Sequence, residues 1–87
     1  MATVITNNEA KLYIAANVKR LLAERRPEWS QSDLARATED NVMTISHLIR
    51  GARLPSAALL RRVAEALGVS SDELMSPTAD AFPKKFA

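Results

Sequence analysis

An all-α fold of five short helices is what this sequence predicts, and two observations carry the prediction. Apolar residues recur at spacings of three and four through most of the chain, while no stretch alternates with the period of two that a half-buried strand needs. Most of these stripes are also bounded by helix punctuation, Asn, Ser or Asp at the start and Gly or Pro at the end.

The first helix is predicted from about Glu9 to Arg26. Leu12, Ala15, Ala16, Val18, Leu21 and Leu22 form its stripe, Asn7 or Asn8 offers the N-cap, and Pro27 ends it, because proline lacks the amide and disfavours helix in the residue before it. Trp29 follows as a single large apolar residue. Ser30 caps a second helix over about Gln31 to Ala37, with Leu34 and Ala35 inward. Asp40 or Asn41 caps the third, where Ile45 and Leu48 face the core and Gly51 stops the helix by taking a left-handed conformation. Pro55 and Ser56 make a turn and a cap for the fourth, whose face of Leu59, Leu60, Val63, Ala64 and Leu67 ends at Gly68. Ser70 with Glu73 fits a capping box opening a short fifth helix, with Leu74 and Met75 inward. From Ser76 onward, Pro77 and Pro83 exclude one regular helix. The predicted organisation is an N-terminal arm (1–8), a helical domain (9–75) and a C-terminal tail (76–87), with no internal repeat.

Composition narrows the function. Eighty-seven residues are expected to form one domain with a small, closely packed core, and the absence of cysteine removes disulfides and thiolate metal sites. The start MATVITNNEA has no basic segment leading into an apolar one, and no apolar run approaches the roughly twenty residues that cross a bilayer, so a cytoplasmic protein without membrane contact is expected. Twelve Lys and Arg against ten Asp and Glu leave a formal charge of +2, so any attraction to a polyanion depends on where the bases sit. The single histidine, His47, follows Ser46 directly, and adjacent residues on a helix point about 100° apart, so they form no local nucleophile and base pair. Asp33, Glu39 and Asp40 lack a second histidine or a cysteine beside them and suit capping and solvation better than a transition metal. Both glycines are helix stops rather than parts of a phosphate loop. No catalytic residue, metal or cofactor is expected, and the chain is not read as an enzyme.

The third helix holds the most informative residues. With Ile45 and Leu48 inward, the 100° step turns Met43, Ser46, His47 and Arg50 outward, with Val42 and Thr44 at the exposed start. A soluble surface would ordinarily place charge at several of these positions.

Four stretches, in order and at near-constant spacing, resemble the lambda-repressor-like helix-turn-helix family, the group of the phage Cro and cI repressors and their bacterial relatives. They are SQSDLA (30–35), TISHLIRG (44–51), RLPS (53–56) and LLRRVAEALGVSSDEL (59–74), and the likeness runs from about Asn17 to Met75. The resemblance implies a compact five-helix domain that binds double-stranded DNA as a two-fold homodimer, with the third helix in the major groove. Carried over by position, it implies that Val42, Met43, Thr44 and His47 face base edges. It implies that Gln31, Asn41, Ser46, Arg50 and Arg53 face the phosphate backbone. Arg61 and Arg62 are read as a solvated face of the fourth helix, and Lys19, Arg20, Arg25 and Arg26 as solvated or as supporting the field near DNA.

The chain also departs from the pattern. Where the family carries glycine and then an apolar residue between the second and third helices, this sequence has Glu39 and Asp40, which predicts a turn rebuilt around Asp40 or Asn41. Val and Met stand where Gln, Asn or Arg would give paired hydrogen bonds to bases, which favours contact with thymine methyl groups. A transcriptional repressor is the leading expectation. One alternative is an antitoxin that uses the same domain on DNA and its terminal segments on a toxin partner. Another is a protein-interaction module that has lost DNA binding, for which Glu39 and Asp40 near the phosphates are the argument. The fifth helix and tail, with Leu74, Met75, Phe82 and Phe86, are expected to form or adjoin the dimer interface.

Overall fold

The computed structural model describes residues 6–78 and Ala81. Five helices follow in order: α1 (Asn7–Glu24), α2 (Gln31–Thr38), α3 (Val42–Ile49), α4 (Ala57–Leu67) and α5 (Ser71–Leu74), with no strand among the described residues. α1 packs on α3 and α5, α2 on α3 and α4, and α4 on α5, so each helix closes one side of a shared core.

Helix starts follow side-chain capping. Thr6, rather than Asn7 or Asn8, caps α1: its hydroxyl accepts from the Glu9 N–H at 3.1 Å, and the Glu9 carboxylate accepts from the Thr6 N–H at 3.1 Å. The helix therefore begins two residues earlier than the apolar stripe shows, because a cap is chosen by hydrogen bonding and not by hydrophobicity. The same reciprocal box opens α2, through Ser30 and Asp33, and α5, through Ser70 and Glu73. The N–H and hydroxyl of Ser30 both donate to Asp33, and these bonds hold its pKa below the ordinary carboxylate value. At the other end, α1 stops at Glu24, and Arg26 donates to the Ala23 carbonyl at 2.8 Å.

Helix ends share one geometry. After α2, α3 and α4 a residue turns left-handed (Glu39, φ 58; Gly51, φ 68; Gly68, φ 74). In each case the next N–H reaches back five residues: Asp40 to Ala35 at 3.0 Å, Ala52 to His47 at 3.0 Å and Val69 to Ala64 at 2.9 Å. This is the Schellman arrangement, which satisfies carbonyls that the helix leaves open. Gly51 is required twice over, since a Cβ there would also meet Leu12 Cδ2 at 3.3 Å, where α3 ends against α1. Glu39 overturns the expectation of a rebuilt turn. It takes the left-handed conformation itself, at the place where the family pattern carries glycine.

Ile14, Val18, Leu34, Ile45, Val63 and Leu74 are the largest fully buried side chains. In α1 the buried set includes Tyr13 and Ile14, while Leu12 and Leu21 of the predicted stripe are only half-buried. Leu74 is fully buried and Met75 is half-buried against the core. Phe82 and Phe86 lie outside the described residues. Trp29 is half-buried against the core, with the Arg25 guanidinium 3.7 Å over its ring, so Arg25 serves packing rather than a solvated field.

One polar side chain sits inside this apolar assembly. Asn17 is 3% exposed, and its Nδ2 donates to the carbonyls of Leu74 at 2.8 Å, Ser76 at 3.0 Å and Glu73 at 3.3 Å. Those carbonyls belong to the end of α5, a helix of four residues that cannot hold itself together.

Two predictions follow from these contacts. Asn17→Leu preserves the volume but removes the donor to the Leu74 and Ser76 carbonyls, and urea denaturation should show a loss of about 1–3 kcal/mol, the range for buried unsatisfied groups; an unchanged midpoint would mean that water replaces the amide at no cost. Glu39→Gly should instead stabilise by about 0.5–1 kcal/mol, because a left-handed L-residue costs roughly 1–2 kcal/mol and the added glycine entropy returns only part of that. Thermal unfolding at matched pH checks the sign.

Candidate nucleic-acid interface

The interface is built on a helix too short to be stable alone. α3 has eight residues, about 12 Å at 1.5 Å per residue, and it exists because Ile45, Leu48 and Ile49 are buried. Ile49 completes a face that the sequence reading drew from Ile45 and Leu48 alone. Once that face is inward, the opposite one is determined by the helical step. Val42 is 48% exposed and Met43 60%, Thr44 and Arg50 are exposed, and Ser46 and His47 are half-buried.

Asn41 has a structural task at the start of this helix. Its Oδ1 accepts from the Met43 N–H at 2.7 Å, and its amide hydrogens are free to donate to a partner. Gln31 is exposed as the first residue of α2, directly after the Ser30 cap. Arg53 is exposed in the link from α3 to α4. The nine residues singled out in the sequence therefore lie on α3, on the two segments that flank it and at the start of α2.

The arginines sort themselves by partner. Arg20 pairs with Glu24, Arg36 with Asp33, Arg61 with Glu65 and Arg62 with Asp40. Arg25 lies on Trp29, and Arg26 caps α1. Among the described residues, Arg50 and Arg53 alone of the arginines have no hydrogen bond or ion pair from the guanidinium, and they bracket the end of α3.

Arg62 corrects the reading of α4 as a merely solvated face. Its Nη2 and Nε donate to the two carboxylate oxygens of Asp40 at 2.9 and 3.2 Å, a two-pronged bond from α4 to the α2–α3 turn. The hydrogen bonds lower the Asp40 pKa and raise that of Arg62, so both groups stay charged and cancel each other beside the turn. Sequence inspection had no signal for this pair, whose members are 22 residues apart.

A second residue absent from the sequence reading is Leu54. It is 45% exposed, and with Thr44, His47, Arg53, Pro55 and Ser56 it lines a cleft of about 200 Å³ between α3 and the link to α4. Among the described residues no group of three His, Asp or Glu side chains is placed to hold a metal ion. No helix there is long and apolar enough to cross a membrane.

Two helices joined by a tight turn, the second exposing its outward face, define the helix-turn-helix class. Comparison with known proteins makes the assignment specific: the family model described as Helix-turn-helix matches residues 20–74, and the chain belongs to this lambda-repressor-like family of DNA-binding domains. Over 60 residues it is 37% identical to a Bacillus subtilis (strain 168) protein described as the uncharacterized HTH-type transcriptional regulator YazB, covering 68% of this chain and 87% of that one. The fold is similar to that of a hypothetical transcription factor, NHTF, from Neisseria, with a TM-score of 0.73, 23% identity, and coverage of 88% of this chain and 84% of the other.

The Asp40–Arg62 pair has a pH signature. The folded pKa of Asp40 is depressed, so the stability it contributes is present above the unfolded carboxylate value near pH 4 and is lost as pH falls through the folded value. Denaturation profiles between pH 7 and pH 2 should therefore fall less steeply at the acid end for Asp40→Asn than for the unaltered chain. Parallel profiles would show that the pair does not contribute.

Proposed function

We propose that this protein is a sequence-specific transcription regulator, acting as a repressor, that binds double-stranded DNA by laying α3 in the major groove. The observation that carries the reading is the combination on one helix: a buried face of Ile45, Leu48 and Ile49, an outward face of exposed Val42, Met43 and Thr44 with half-buried His47, and the unpartnered cations Arg50 and Arg53 at its end. A major groove admits an α-helix, and its phosphate rims take the cations. In this reading Val42, Met43, Thr44 and His47 meet base edges. Gln31 at the start of α2 and Arg50 and Arg53 after α3 meet phosphates, with the Asn41 amide and Ser46 beside them. The protein acts by occupying its site on chromosomal DNA inside the cell, and not by catalysis.

A helix of about 12 Å spans only three or four base pairs at 3.4 Å each, so one copy reads too little sequence to be selective. A homodimer on two half-sites one DNA turn apart, about 34 Å, supplies the rest. The argument for a module that has lost DNA binding was the acidity of the turn. Arg62 neutralises half of it by pairing with Asp40, which favours the regulator.

Selection of bound sequences from a random duplex library tests the reading. An inverted repeat with half-site centres ten to eleven base pairs apart is expected, and recovery of no preferred sequence would overturn it. On the selected duplex, Arg50→Ala and Arg53→Ala should each weaken binding to all sequences about equally and reduce the slope of log K against log salt by roughly 0.9 per lost phosphate contact. A change of base preference with an unaltered slope would contradict the phosphate role.

A further inference from the structure

The large apolar side chains that stand exposed among the described residues are Val42, Met43 and Leu54, and all three border the outward face of α3. Elsewhere the described surface covers its large apolar groups. A soluble chain that concentrates them in one place presents a surface for an apolar partner. Arg50 and Arg53 stand unpaired at the end of α3, Glu39 and the Arg62-paired Asp40 precede its start, and no acidic side chain lines the cleft that Leu54 shares with Thr44 and His47. An apolar patch with free cations at one end fits a polyanion that carries apolar groups between its charged rims. Among the bases seen in the major groove of DNA, thymine alone offers such a group, its C5 methyl.

We propose that sequence is selected here mainly through thymine methyl groups, received by Val42 and Met43 at the start of α3 and by Leu54 from the following link. Leu54 is thus a specificity residue that the helix itself does not contain. Its place in the cleft beside Thr44 and His47, which Val42 and Met43 do not line, adds an apolar contact that α3 itself does not supply. The polar groups of Thr44 and His47 then supply single hydrogen bonds between apolar contacts, in place of paired bonds from Arg, Asn or Gln. The inference rests on the DNA-binding reading and specifies the chemistry of its ligand.

Thymine-to-uracil replacement tests it, because deoxyuridine removes only the methyl and keeps the base pair. On the selected duplex, replacing thymines one at a time should reduce affinity roughly fourfold at each contacted position, the value of burying one such carbon. Val42→Ala, Met43→Ala and Leu54→Ala alter exposed side chains and should leave the melting temperature unchanged, and each should abolish the uracil effect at its own position while leaving the others intact. Sequence-specific binding that is indifferent to uracil at every thymine overturns this inference and leaves the DNA-binding reading standing. Failure to bind any duplex refutes both. Unchanged DNA affinity in all three alanine variants would also overturn it, and would assign the patch to a protein partner.

Discussion

Each of the five helices sends at least one fully buried side chain into the same core: Ile14 and Val18 from α1, Leu34 from α2, Ile45 from α3, Val63 from α4 and Leu74 from α5. This shared burial is the constraint on which the rest depends. α2 and α3 have eight residues each and α5 has four, all below the length at which an isolated helix persists in water. None of them exists apart from the packing. The exposed face of α3 is therefore a consequence of the core, since the residues that bury Ile45, Leu48 and Ile49 also decide which side chains point away.

The orientation of α3 relative to α2 comes from the turn between them, and that turn is held from two sides. Within the backbone, Glu39 adopts the left-handed conformation and Asp40 returns a hydrogen bond to Ala35. From outside, Arg62 of α4 grips the Asp40 carboxylate. A family position that usually contributes an apolar contact is occupied here by an ion pair, which fastens the turn to α4 without adding to the core. Asn17 does comparable work at the far end, where it gathers the open carbonyls of α5 and binds them to α1.

Charge is distributed with similar economy. The formal excess is only +2, yet most arginines are engaged internally, and the two left free stand together at the end of α3. Two unpaired guanidinium groups therefore stand close together in sequence at the end of α3, whatever the small net charge. The absence of paired hydrogen-bonding side chains at Val42 and Met43 gives the same surface an apolar centre.

The helices, their approximate limits and the inward residues Leu34, Ala35, Ile45, Leu48, Leu59, Leu60, Val63, Ala64, Leu67 and Leu74 were legible in the sequence. These features are local: a cap, a stop and a stripe each involve residues within a few positions of one another, so their signals survive in one dimension. The outward residues of α3 were legible for the same reason, as the complement of a buried face. What only the tertiary structure decided were the pairings across the chain. Arg62 meets Asp40, Asn17 meets the end of α5, Arg25 lies on Trp29, and Leu54 joins Thr44 and His47. The left-handed Glu39 belongs with them, although it is a single residue. Its propensity opposes that conformation, and the packing of α2 against α3 and α4 outweighs a local cost of about 1–2 kcal/mol.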